Sequence, residues 1–331
     1  MEKEKMNNTP EVNVSPDGTA ELIKAPKFLT RKVKSNIFFW STIAVFLINI
    51  LIWYVYVNFS SFVLAFNTYE YTTDGIKSTF AGFSNFKYVI DLFLNSSDMM
   101  YMVEVTVSVF VLELVVGIIS ALLLSYYIYK KLFMSEFFRV ILFLPSVISA
   151  VVMVTLYKYM VNNMYMEVFN KDVGLLTGSM ENKLIALIIY HLWMGYGTNV
   201  LMYTGAMSGI NESIVEASEL DGCNAFQEFW HITMPGIFPT FVTFLTAGLA
   251  GVFTNQMQLY TFFGANAPIK SVGYYLYINN LYSDGLVDRG GYKGFLIYPH
   301  LSALGLIITF ITIPIVMTVR WALRKYGPST N

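Results

Sequence analysis

Several side chains capable of specific chemistry stand inside otherwise apolar stretches of the 331-residue sequence. Thr254, Asn255, Gln256, Gln258 and Tyr260 place amides, hydroxyls and a ring within seven residues. Amides pair with hydroxyl groups and ring faces take up apolar surface, so this cluster could hold a polar ligand within the membrane. Asn255 and Gln256 could equally hydrogen-bond to a helix of a partner chain. Glu113 lies deep in a second apolar run, where an ionised carboxylate needs a partner or water. It either lines a pathway or sits protonated in a polar contact. A third run carries Tyr190, His191, Trp193, Tyr196, Asn199 and Tyr203. Aromatics at this spacing are mostly packing residues or interfacial anchors, and His191 reads as a satisfied interior histidine rather than a proton relay.

Other chemistries are disfavoured. Cys223 is the single cysteine, so neither an intrachain disulfide nor a cysteine metal cluster can form. His191, His231 and His300 are too scattered for a ligand set, and no metal site is expected. The chain has no Gly-x4-Gly-Lys-Ser/Thr phosphate loop and no clustered acid, base and nucleophile of the kind a membrane enzyme needs. A net charge of −1 argues against nucleic acid as a partner.

These residues must be positioned by elements that lie in lipid. The composition is 55% hydrophobic and 17% aromatic, with 13% charged residues and a mean hydropathy of +0.54. Soluble domains carry about 25% charged residues; with half that share, a chain cannot cover a water-facing surface. Six stretches reach the roughly 20 residues that span a bilayer core: 36–66, 103–127, 138–160, 184–205, 237–263 and 300–323. Helix is the expected state of all six, because a lone strand would leave backbone groups unpaired in lipid. The fold class expected is therefore all-α and integral to the membrane. Residues 1–35 read as a disordered cytoplasmic tail without the features of a secretory signal, 36–325 as the membrane domain and 326–331 as a second tail. Thirteen Lys and Arg fall on the side of the two termini and eight on the other, which places both termini in the cytoplasm.

Between the fourth and fifth spans the sequence reads GINESIVEASELDGCNAFQEFWHITMPGIFPT, residues 209–240. It is too acidic to cross lipid, yet it is patterned. Ile210, Ile214, Val215 and Ala217 predict the inward stripe of a short helix, and Asp221-Gly222 its stop. Phe226, Phe229, Trp230 and Ile232 predict a second short helix, after which Pro235 and Pro239 stiffen the start of the fifth span. Two short helices about a glycine hinge make a knob suited to a partner's groove. The acids could instead merely cap and solvate these helices.

At this point the chain resembles a known family. Glu216, Ala217, Asp221, Gly222, Phe229, Ile232, Pro235 and Pro239 fall in register with the cytoplasmic loop motif of the permeases of binding-protein-dependent ABC importers. Ser218, Cys223 and Met234 depart from its commonest residues. Further stretches are similar to that family: FAGFSNFKYVIDLF (80–93), FFRVILFLPSVIS (137–149), the run from Trp193 to Gly209, and GANAPIKSVGYYLY (264–277). The spacing fits the carbohydrate-uptake branch, near the larger permease of maltose-type systems.

The resemblance implies a multi-pass protein of the bacterial plasma membrane, one permease of a pair. Two cytoplasmic ATPase subunits would bind ATP and Mg, no cofactor being held by this chain, and an external solute-binding protein would deliver a sugar, an oligosaccharide by preference. It assigns the coupling loop to Glu216, Ala217, Ser218, Asp221, Gly222, Phe229 and Pro235, with Glu216 contacting the ATPase or pinning the loop. Counting back from Ala267-Pro268, it places substrate-contacting amides near Asn255 and Gln256; Tyr260 and Glu113 complete the expected pathway. An importer of a non-sugar solute is one alternative. Another is an ion-coupled transporter, although the inverted repeats of that class are not visible.

Overall fold

The structure, a computed structural model, describes residues 31–72, 75–283 and 297–328, with the short segments 12–14 and 20–22. The chain divides into two compact units, 1–61 and 62–331. In the first, β1 (Val12–Val14) pairs antiparallel with β2 (Ala20–Leu22), within the segment expected as a disordered tail; the rest of residues 1–30 lies outside the described residues. The first span, α1 (Val33–Phe66), begins here and carries exposed large apolar side chains, among them Phe38, Trp53 and Tyr56. Such a surface is tolerable only against lipid or another chain.

The second unit departs first from the all-α expectation. After α1 the chain forms an antiparallel hairpin, β3 (Asn67–Thr72) with β4 (Gly75–Phe80). Its Thr- and Tyr-rich strands favour extended backbone. α2 (Ser84–Asn95) follows. Buried Asn85 explains the Asn of the 80–93 stretch: its Nδ2 donates to the carbonyls of Ala65 and Asn67, each at 2.9 Å, closing the end of α1.

Four spanning helices match the expected stretches in kind: α1, α3 (Ser97–Tyr129), α6 (Met180–Met207) and α11 (Tyr298–Tyr326). The third expected span is not one helix. It is α4 (Ser135–Val147) and α5 (Ala150–Phe169), bent by 111° at Ile148-Ser149. Pro145 weakens the last turns of α4, where it removes a helix donor, and the chain leaves the helix three residues later, at the extended backbone of Ile148 (φ −81°, ψ 145°). Among the described residues, five uninterrupted helices and one bent pair thus stand for the six expected spans.

The fifth span is also redrawn. α7 (Glu212–Leu220) is a separate short helix as expected, but the second short helix is not separate: it is the beginning of the long helix α8 (Ala225–Gly251). A widened π-helical turn at Phe229–Thr233 lies just ahead of Pro235, where it accommodates a residue that can neither donate nor tolerate a tight preceding turn. At its other end α8 stops at Gly251, twelve residues before the expected edge. An irregular segment leads to α9 (Leu259–Phe263) and then α10 (Val272–Ser283).

Of the three apolar clusters among the described residues of this unit, two flank the site. One joins Val105 and Val109 of α3, Tyr157 of α5 and Leu187 and Tyr190 of α6 with Phe262 and Tyr274. The other joins Leu122 of α3, Val200, Tyr203 and Met207 of α6, and Phe229 and Ile237 of α8. The polar site described next falls between them along α3 and α6.

Candidate functional site

Glu113 and His191 meet between α3 and α6. The two helices run parallel: Ser120 Oγ reaches Tyr196 Oη at 2.9 Å and, further on, Ser125 Oγ donates to Val200 O at 3.3 Å. Gly117 permits this approach, since a Cβ there would lie 3.1 Å from Leu192 Cδ2. One turn earlier, Glu113 Oε1 stands 3.4 Å from His191 Nδ1. Glu113 also opens a π-helical turn, Glu113–Ile118, a distortion frequent at functional sites.

Two cavities share Glu113. A groove of about 330 Å³ is walled by α3 (Thr106, Phe110, Glu113), by the small residues Ala247, Gly248 and Gly251 of α8, and by Asn255 beyond it. A second cavity of about 290 Å³ runs past Gly117, His191, Tyr196 and Asn199. The pair is thus a polar partition between two spaces. His191 was expected as a satisfied interior histidine, but its Nε2 is buried without a hydrogen-bond partner among the described residues. His191 was missed as Glu113's partner, though one signal was available. Each residue stands sixteen positions before the end of its helix, Tyr129 or Met207.

The amide cluster is partly structural. Asn255 lines the groove, but its Oδ1 accepts from Met257 N at 2.8 Å and so builds the turn that ends α8. That turn is clamped from the other side. Ser271 Oγ donates to Asn255 O at 3.3 Å, and Gly273 lies so close that a Cβ would meet Asn255 O at 2.3 Å. Gln256 Oε1 is buried without a hydrogen bond among the described residues. Gln258 Oε1 accepts from Thr261 Oγ1. Tyr260 lies apart from the Glu113–Asn255 groove, its ring 5.4 Å from that of Tyr277.

At the end of α3 marked by Tyr129, the 209–240 segment forms a fastened corner. Asn211 Oδ1 caps α7 by accepting from Ser213 N, and Gly222 ends the helix at φ +81°. Asn224 and Gln227 form a reciprocal capping box that starts α8. Tyr126 Oη donates to Ala225 O at 3.0 Å, and the Phe229 ring packs edge-on to Tyr126 at 5.1 Å. The corner's acids are compensated from outside it. Lys130 Nζ lies 3.1 Å from Glu219 and 2.7 Å from Glu228, whose side chain is only 3% exposed. Burial alone would lower the Lys130 pKa, but its hydrogen bonds to Glu228 and Glu219 and the Glu228 charge outweigh this and hold it above 10.5.

This arrangement takes from Glu216 the pinning half of its expected role and corrects the expected inward stripe of α7. The corner is pinned by Lys130 through Glu219 and Glu228; Glu216 is exposed and makes no ion pair among the described residues. The inward face of α7 is Val215 and Ser218, with Ser218 Oγ donating to Val215 O, whereas Ile214 and Ala217 face outward. Asp221 is the exposed C-cap, and Pro235 is a partly buried residue of α8. Leu220 and Phe226 are 90% and 70% exposed, so the corner presents apolar side chains beyond its polar shell.

Residues 113–331 match the family described as binding-protein-dependent transport system inner membrane component. Over 305 residues the chain is 26% identical to the multiple sugar-binding transport system permease protein MsmF of Streptococcus mutans, covering 89% of this chain and 98% of that one. Over 277 residues it is 24% identical to the arabinooligosaccharides transport system permease protein AraP of Bacillus subtilis, covering 81% and 82%. A crystal structure of a bacterial ABC transporter that imports the acidic polysaccharide alginate contains a chain of similar fold. Its TM-score is 0.68 at 20% identity, covering 90% of this chain and 98% of that one.

Proposed function

Because the chain belongs to the family of inner membrane components of binding-protein-dependent transport systems, we propose that it is a permease of an ATP-driven sugar importer, driven through its α7–α8 corner. One observation carries the reading. The corner is fastened to α3 by Lys130 and is continuous with α8, and these are two of the helices that wall the Glu113 groove. A force on the corner therefore reaches the groove through two rigid elements. From Tyr129 back to Glu113 the helix covers about 24 Å at 1.5 Å per residue.

The remaining assignments follow. The corner faces the cytoplasm with both termini, in keeping with the thirteen cations on that side. Exposed Ile214, Glu216, Ala217 and Leu220 make a mixed apolar and acidic surface that fits a groove on a cytoplasmic ATPase. Two such subunits bind ATP and Mg; their closure tilts the helices and opens the groove alternately to the two sides. A second permease completes the pathway, and an external binding protein supplies an oligosaccharide, as the names of the relatives suggest. In the groove Glu113 accepts hydrogen bonds from sugar hydroxyls. His191 holds the carboxyl group in place and Asn255 offers its amide, with the amide oxygen of Gln256 buried beside the groove.

Purification in mild detergent tests the reading. A tagged chain brings down an ATP-binding subunit and a second permease, and the complex in vesicles with its binding protein takes up neutral oligosaccharides only with internal ATP. A chain that purifies alone and transports under an ion gradient overturns it.

A further inference from the structure

A cavity of about 410 Å³ lies between the middle turns of α8 and the last turns of α11, walled by Phe238, Val242 and Thr243 on one side and by Arg320 and Arg324 on the other. We infer that it binds the phosphate of an anionic phospholipid of the leaflet on the corner's side. The two arginines are four residues apart and share one face of α11. Neither makes an ion pair or hydrogen bond among the described residues. The neighbouring cation is differently engaged: Lys325 Nζ stands 4.8 Å from the Trp321 ring and 5.3 Å from that of Tyr326. The hydroxyls of the opposite wall are spent internally, Thr243 on Pro239 O and Thr246 on Val242 O. The donors left for a ligand are the guanidinium groups, whose forked N–H pattern matches phosphate oxygens.

Depth and continuity favour a lipid over a soluble phosphate. The 29 residues of α11 extend about 43 Å, the thickness of a bilayer with its headgroups. Arg324 thus falls in the headgroup layer and Arg320 at its inner edge. One and two turns deeper on the same face, Met317 and Ile313 are 65% and 52% exposed, an apolar track on which an acyl chain can lie. Basic pockets between spanning helices on the cytoplasmic side are known lipid headgroup sites. The inference rests on the proposed orientation only for which leaflet supplies the lipid.

The assembled complex is moved from membranes into phosphatidylcholine nanodiscs, and retained phosphatidylglycerol is counted by native mass spectrometry. The unmodified complex retains it, and millimolar inorganic phosphate does not displace it. Arg320→Gln/Arg324→Gln retains it roughly 30-fold less, the factor two surface cations add to anionic-lipid attraction. Arg320→Lys/Arg324→Lys keeps most of it. Equal retention in the Gln variant, or displacement by phosphate, overturns the assignment. So does loss of assembly by the Gln variant irrespective of lipid, since the arginines would then be serving a protein partner. Labelling of Cys223 by a membrane-impermeant maleimide reads the orientation separately.

Discussion

Glu113 and His191 face each other with Oε1 and Nδ1 3.4 Å apart, at matching depth on two parallel helices and at the boundary of two cavities. A carboxyl group removed from bulk water needs a polar partner, and the imidazole supplies one. Glu113→Gln keeps an acceptor oxygen at the site, so the complex assembles normally while sugar uptake falls roughly tenfold, about the worth of one hydrogen bond. Glu113→Leu additionally leaves the imidazole unpaired and lowers stability by about 1–3 kcal/mol. Uptake kinetics and thermal unfolding of the detergent-solubilised complex separate the two effects. Unaltered uptake in both variants removes the groove from the pathway.

Lys130 holds the corner to α3 across a pair in which Glu228 is buried. Lys130→Met strands that carboxylate, and breaking a buried pair from one side costs about 3–5 kcal/mol. The lower end applies, since the Lys130 side chain is 21% exposed. The pH dependence has a definite sign. Because the folded-state pKa of Lys130 is raised above 10.5, its contribution is fully present at neutral and mildly alkaline pH. It is lost only as pH rises through the raised value. A melting-temperature series over alkaline pH should show the wild type falling towards Lys130→Met. Parallel curves would mean that the lysine is not the fastening.

Asn255 and Gln256 separate by substitution. Asn255→Asp retains the oxygen that accepts from Met257 N, whereas Asn255→Leu loses it and loosens the end of α8 by about 0.5–1.5 kcal/mol. Gln256 has no such bond to lose at its buried oxygen, so Gln256→Leu leaves the fold intact and reduces uptake alone. Scanning calorimetry with uptake assays checks both. Unchanged uptake by Gln256→Leu assigns that amide no part in the pathway.

The corner's geometry depends on Gly222, whose φ of +81° is unfavourable for any side chain although the space around it is open. Gly222→Ala destabilises the bend by about 1–2 kcal/mol, while Gly222→Asn, which tolerates this conformation, does so less. Both variants insert in the membrane, and coupling of ATP hydrolysis to uptake falls in the same order. Glu216→Ala leaves stability unchanged and weakens ATPase binding. Full coupling in all three would detach the corner from the mechanism.

How far the sequence could be read depends on the range of the interaction involved. Spans appear as runs of apolar residues, and the corner's stop appears as Asp221-Gly222, because these signals are local. Pro145 stood in plain view, but the 111° bend beyond it depends on how the chain is received by its neighbours. α6 receives α4 at Gly197, where a Cβ would lie 2.8 Å from Leu142 O. The early end of α8 was hidden for the same reason, since Ser271 and Gly273 clamp it from well along the chain. Glu113 announced the need for a partner without naming His191, and the corner's acids did not name Lys130. Charge pairing across helices is a tertiary property.

Cys223 allows the central claim to be tested without mutation, since it is the single cysteine of the chain and is exposed on the corner. A short bifunctional maleimide reagent added to inverted membrane vesicles should join Cys223 to an ATP-binding subunit. The same cysteine should stay unlabelled by an impermeant maleimide added to intact cells. Labelling from outside the cell, or cross-linking confined to chains that bind no nucleotide, would contradict an ATPase docked on this corner.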